Sequence, residues 1–118
     1  MLNILIVDDE VEIQCLFRRI LEKEGYRVRT TGSGQEAVKM IKIETYDMMF
    51  LDIRLPMFSV SDVLRNIKDI SPRMRIFTMS GKPIEERLKT VLLSETNGFL
   101  SKPFRIEEVR KIVAGQAG

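Results

Sequence analysis

Short apolar runs rich in β-forming residues alternate along this chain with longer stretches whose apolar residues recur every three or four positions. That alternation is the signature of a parallel sheet covered by helices on both faces, because every parallel strand pair needs a crossover and the crossing helices bury the sheet. Five such units can be read, with candidate strands at Ile4 to Val7, Arg27 to Thr31, Met48 to Leu51, Arg75 to Met79 and Phe99 to Ser101. The first and third are apolar throughout, which predicts central places for them in the sheet.

The stretches between the strands read as helices. Ile13, Leu16, Phe17, Ile20 and Leu21 form one apolar face, and Gly25 is placed to end that helix. The second opens on Ser33 and Glu36 in capping-box spacing and continues through Ala37, Val38 and Ile41. The third carries Val60, Val63, Leu64 and Ile67. The fourth is predicted to start near Pro83 and to run through Leu88, Val91 and Leu92, and the fifth carries Ile106, Val109, Ile112 and Val113. The expectation is one doubly wound α/β domain over residues 1–118, with no room for an output domain.

Composition excludes several functions. A chain of 118 residues that is 44% hydrophobic and 31% charged can bury a single core. No apolar run approaches the roughly 18 residues that span a bilayer, and the N-terminus lacks the zones of a signal peptide, so no membrane insertion and a cytoplasmic location are expected. A net charge of +2 without any block of basic residues gives no case for direct nucleic-acid binding. Cys15, the single cysteine, is read as a packing residue. With no histidine, the chain supplies neither an imidazole base nor a phosphohistidine.

In a doubly wound sheet, ligands bind at the carboxyl ends of the strands. The first candidate strand ends in Asp8-Asp9-Glu10, the third in Asp52, the fourth in Ser80-Gly81 and the fifth in Lys102-Pro103. Aspartates brought together on one edge repel one another unless a cation neutralises them, and an oxygen-only ligand set suits a hard ion such as Mg²⁺. Asp52 could then act as a carboxylate nucleophile toward a phosphoryl group, with Lys102 offsetting charge on the transferring oxygens and Ser80 donating to one of them. Read singly, these residues fit plainer roles. Asp8, Asp9 and Glu10 suit the start of any helix, Lys102 a solvated loop, Ser80-Gly81 an ordinary turn, and Phe99 either core packing or a switching role.

The runs Ile4-Leu5-Ile6-Val7-Asp8-Asp9-Glu10, Leu51-Asp52-Ile53-Arg54-Leu55-Pro56, Met79-Ser80-Gly81 and Phe99-Leu100-Ser101-Lys102-Pro103-Phe104, in this order and spacing, resemble the receiver domains of response regulators in two-component signalling. The resemblance covers nearly all of the chain. It implies a flavodoxin-like five-stranded sheet of order 2-1-3-4-5, an order for which chemotaxis receivers are themselves the standard illustration. It implies Asp52 as phosphoacceptor, Asp9 as a direct metal ligand, Asp8 as a ligand through water, and the backbone carbonyl of Arg54 as a further ligand. Ser80 and Lys102 become phosphate contacts, and Phe99 an aromatic that moves with Ser80. The implied cofactor is Mg²⁺, with Mn²⁺ able to replace it.

The implied donor is a sensor histidine kinase or a histidine phosphotransfer domain. The implied output is a downstream protein docking on the fourth helix, fifth strand and fifth helix, and the domain would catalyse only its own phosphorylation and dephosphorylation. The chain would act alone or as the excised receiver of a larger DNA-binding response regulator. Two features depart from the family. Met57 and Val60 stand where relatives usually have glycine, which predicts a different path for that loop. Arg54 and Lys82 place two cations beside the phosphoryl site, as candidate modulators of its lifetime. A nucleotide- or flavin-binding domain of similar topology is the alternative. It would show a glycine-rich turn after the first strand, where this chain has an acidic pair.

Overall fold

A computed structural model describes residues 1–56 and 59–117. Its elements run β1 (Asn3–Val7), α1 (Val11–Lys23), β2 (Arg27–Thr31), α2 (Gly34–Ile43), β3 (Met48–Asp52), α3 (Val60–Ile70), β4 (Arg75–Ser80), α4 (Glu86–Glu95), β5 (Gly98–Ser101) and α5 (Ile106–Ala117). The five strands pair in parallel in the order β2-β1-β3-β4-β5. The two strands read as central, β1 and β3, do lie inside the sheet.

Strand alternation sorts the apolar residues into two cores. Leu5, Val7, Met49, Leu51 and Ile76 point to the face covered by α2, α3 and α4, where they meet Ala37, Ile41, Leu64, Ile67 and Leu92. Ile4, Ile6, Met48, Phe50 and Met79 point the other way and pack on Phe17, Ile20 and Leu21 of α1 and Val109 and Val113 of α5. Phe17 anchors this second core, its ring centroid 4.8 Å from that of Phe50 and 5.2 Å from that of Phe104. Burial on both faces explains why β1 and β3 read as continuous apolar runs rather than as alternating ones.

The helix ends follow local chemistry. Gly25 closes α1 with φ +89°, its N–H bonding to the Glu22 carbonyl while the Tyr26 N–H bonds to that of Leu21. This is the Schellman arrangement, and it favours glycine because of the positive φ. Ser33 caps α2 by accepting from the Glu36 N–H, but the Glu36 carboxylate takes a 2.6 Å bond from the Thr31 hydroxyl instead of reaching back to complete a capping box. Ser59 caps α3 in the same way through the Asp62 N–H.

Two expectations are corrected. The fourth helix begins at Glu86 rather than Pro83, because the Pro83 carbonyl is engaged by Arg54 and the chain turns before the helix starts. Cys15 is exposed rather than packed, since it falls on the α1 flank away from Phe17 and Leu21. Among the described residues no helix is long and apolar enough to cross a membrane.

Candidate functional site

Parallel strands in register finish at one edge of the sheet. Asp52 is the last residue of β3, aligned with Met79, and Ser80 is the last of β4, aligned with Ser101. Lys102 follows directly, and Asp8 follows β1, its N–H held by the Thr31 carbonyl at 2.9 Å. The topology therefore brings the four strand-end motifs together as the sequence predicts.

Lys102 is the hub. Its Nζ lies 2.6 Å from Asp8 Oδ2, 2.9 Å from Asp52 Oδ2 and 3.3 Å from Glu10 Oε1. Asp8 is fully buried and Asp52 nearly so, whereas Glu10 is exposed and reaches in from outside. Burial raises the Asp8 carboxyl above its usual range, and the Lys102 ammonium and the Glu10 N–H only partly oppose this. For Lys102 burial alone would lower the pKa, but hydrogen bonds and charge from Asp8 and Asp52 outweigh it and hold the amine well above its ordinary value. One ammonium thus faces three carboxylates, which leaves the cluster with a net negative charge.

The remaining contacts fix these groups in place. Asp8 Oδ1 accepts from the Glu10 N–H at 2.9 Å and Asp52 Oδ1 from the Arg54 N–H at 2.7 Å. Carboxylate oxygens of Asp8, Glu10 and Asp52 all lie within 4.8 Å of one another. Asp8 Oδ2 is buried with only the close charge contact to Lys102 and no aligned hydrogen-bond donor. An all-oxygen set with a buried oxygen short of partners fits a hard divalent cation.

Asp9 is exposed and stands outside this cluster; Asp8 turns inward through its bond to the Glu10 N–H, and Glu10, which sequence reasoning treated as the flank of the pair, supplies the third carboxylate. Ser80 is buried, and its hydroxyl donates to the Lys82 carbonyl at 2.9 Å while accepting from the Lys82 N–H at 3.1 Å. The Arg54 side chain runs from β3 to the β4–α4 segment. Its Nε lies 3.4 Å from Ser80 Oγ, and its Nη2 donates to the Pro83 carbonyl at 2.7 Å. Nothing in the sequence signalled that link, which joins residues 29 apart.

Phe99 is 39% exposed and lines, with Lys82, Pro83, Ile84 and Leu92, a cavity of about 540 Å³ between β5 and α4. Of the atypical loop, Met57 lies outside the described residues and Val60 is the buried first residue of α3.

A family model described as the response regulator receiver domain matches residues 4–114. The chain belongs to that family. This receiver is 33% identical over 109 residues to the response regulator SaeR of Staphylococcus epidermidis, covering 92% of this chain and 47% of that protein. It is 31% identical over 109 residues to the cell cycle transcriptional regulator CtrA of Caulobacter vibrioides, with the same 92% and 47% coverage. The receiver therefore spans about half the length of these relatives.

Among solved structures, its fold matches the receiver domain of the sensor histidine kinase PA1611 of Pseudomonas aeruginosa, which carries a magnesium ion in its active-site cleft. The TM-score is 0.85 and the identity 26%, over 98% of this chain and 96% of that one. A CheY-like receiver protein of Methanospirillum hungatei matches with a TM-score of 0.88 and 26% identity, over 99% of this chain and 94% of that one.

Proposed function

We propose that this receiver is a phosphorylation-activated switch in which Asp52 accepts the phosphoryl group of a sensor histidine kinase or a histidine phosphotransfer domain. The observation that carries this reading is the placement of Lys102 Nζ 2.9 Å from Asp52 Oδ2 inside a cluster of carboxylates. The carboxylate attacks phosphorus, a P–O bond forms as the donor's P–N bond breaks, and the imidazole leaves with the electron pair of that bond. The Arg54 N–H holds one Asp52 oxygen and fixes the rotation of the nucleophile. Lys102, kept protonated by its neighbours, offsets negative charge on the phosphoryl oxygens.

Mg²⁺, or Mn²⁺ in its place, would be held by Asp8, Asp52 and the Arg54 carbonyl, with Asp9 as a further carboxylate from the same turn although Glu10 is the acid that joins the cluster in this structure, and would supply the positive charge that lets a polyanion approach this acidic edge. Ser80 and Phe99 are the switching pair, and the output face is α4, β5 and α5, on which a downstream protein docks. The relatives named as transcriptional regulators, of whose length this chain covers 47%, favour a second reading of the output, in which that face acts on an attached DNA-binding region. The acidic cluster after β1, where a nucleotide- or flavin-binding domain would carry glycines, speaks against that alternative.

Incubation with Mg²⁺ and acetyl phosphate followed by intact-mass measurement tests the phosphoacceptor. A single phosphate adduct is expected, absent in Asp52→Asn and absent without the metal; labelling that persists in Asp52→Asn defeats the assignment. Arg54 and Lys82 are proposed to lengthen the lifetime of the aspartyl phosphate by restricting hydrolytic water. A double variant Arg54→Asn, Lys82→Glu should lose its phosphate faster, and an unchanged half-life would show that neither cation matters.

A further inference from the structure

The Arg54 guanidinium performs a task that neither metal binding nor phosphoryl transfer requires. Through Nη2 it holds the Pro83 carbonyl at 2.7 Å, and through Nε it approaches Ser80 Oγ at 3.4 Å, so one side chain ties the end of β3 to the segment leading into α4. The Ser80 hydroxyl, bonded in both directions to the Lys82 backbone, stiffens the same segment.

The helix beyond is weakly held. The N-cap of α4, Glu85, makes no side-chain capping bond, the last turn carries no basic residue, and Leu92 is the helix's single buried residue. Beneath it lies the 540 Å³ cavity lined by Lys82, Pro83, Ile84, Leu92 and Phe99, which leaves room for the segment to move. At the far end the Lys68 ammonium of α3 pairs with Glu95 at 2.7 Å. Leu92, with Ile84 and Leu88 beside it, packs the helix on the core, and polar contacts mark its two ends.

We infer that Arg54 is an inhibitory tether, a positioning residue that holds α4 in its resting place through the Pro83 carbonyl and gives up that bond when Asp52 carries a phosphoryl group. The inference rests on Asp52 being the phosphoacceptor. The backbone N–H of Arg54 bonds Asp52 Oδ1 and its guanidinium already reaches Ser80 Oγ through Nε, so a phosphoryl group on Asp52 stands within the side chain's range and competes with the Pro83 carbonyl for it. A dianionic phosphoryl group wins that competition, because charged acceptors make the stronger bonds to guanidinium. The Ser80 proton is drawn the same way, and the segment loses both of its anchors at once.

Hydrogen exchange read by mass spectrometry on the whole chain tests this, with the amides of Lys89 to Leu92 in the first hydrogen-bonded turn of α4 as reporters and those of β1 and β3 as an internal control of folding. Without phosphodonor, Arg54→Ala should speed exchange of the reporters about tenfold and leave the control amides unchanged, since a bond to a charged group commonly contributes at least that factor. With Mg²⁺ and acetyl phosphate, the parent protein should reach the same rate and Arg54→Ala should show no further rise.

Reporter rates equal to the parent's in unphosphorylated Arg54→Ala would overturn the tether. So would an equal further rise in both proteins on phosphorylation, which would place the signal on a route other than Arg54. Intact mass taken in parallel separates the two readings: absence of an adduct defeats the phosphoacceptor assignment alone, while the unphosphorylated comparison still decides the tether. Arg54→Lys, with one nitrogen in place of a fork, should give an intermediate rate.

Discussion

Asp8 is the residue at which burial and charge conflict most openly. Its carboxylate is fully buried and its pKa raised, chiefly by desolvation, so its ionised form costs the fold stability. The stabilising contribution of the protonated form is complete below the ordinary 3.8 and is lost as pH rises through the higher folded value. Asp8→Asn should therefore raise the stability of the metal-free protein at pH 7, measured by urea unfolding, and added Mg²⁺ should stabilise the parent protein but not the variant. A variant less stable than the parent would contradict the charge account. Lys102→Met should do the opposite. It strands two buried carboxylates without their cation and should cost about 3 kcal/mol at pH 7, measured by the same urea unfolding.

The sequence identified Asp8, Asp52, Ser80 and Lys102 because strand ends in a parallel sheet share an edge. The resemblance named Asp9 as the ligand beside Asp8, whereas the acid that joins the cluster in the structure is Glu10. Which of two consecutive acids faces the cluster depends on how the backbone turns into α1, and no periodicity extends across that turn.

At the scale of elements, α4 is the exception that explains its own misreading. Pro83 is a favoured first residue of a helix, yet the chain there is held out of helical conformation by Arg54, a contact across 29 residues that local pattern does not encode. The helix then starts at Glu86 without a side-chain cap. Glu85→Ser should supply that cap and stabilise the domain by about 1 kcal/mol, read as a higher thermal midpoint together with slower exchange at Lys89 to Leu92. If α4 is the moving element, the same substitution should narrow the difference in exchange between the two phosphorylation states; an unchanged midpoint would mean that the helix start is already satisfied by solvent. By contrast α1, with a complete apolar face and Gly25 at positive φ to close it, was legible at both ends, since everything that defines it lies within its own residues.

For the molecule as a whole, the fold was legible because β1 and β3 carry apolar residues on both faces, and the parallel order with helices on either side is the arrangement that buries them. What the pattern could not show is how the edge strand β2 is secured. Arg27 and Arg29 of β2 reach Glu44 at 3.2 and 3.7 Å, and Glu44 also accepts the Tyr46 hydroxyl at 3.0 Å. Tyr46 in turn is buried in the core shared by α2, α3 and the sheet, so one phenol links the edge strand to the centre. Burial, reinforced by the Glu44 carboxylate, pushes that phenol from its ordinary 10.0 up to about 12.

The neutral phenol is the form the fold favours, so its contribution is complete below pH 10 and is lost as pH rises through about 12. That loss amounts to about 3 kcal/mol at most. Base titration should accordingly show unfolding free energy falling between pH 10 and 12. Tyr46→Phe, which loses the hydrogen bond but cannot ionise, should be about 1 kcal/mol less stable than the parent at pH 8, with a shallower decline over the alkaline window. The two curves should cross at about pH 11, where the parent's loss equals its starting advantage; parallel curves would place the alkaline loss in other groups and leave Tyr46 a packing residue only.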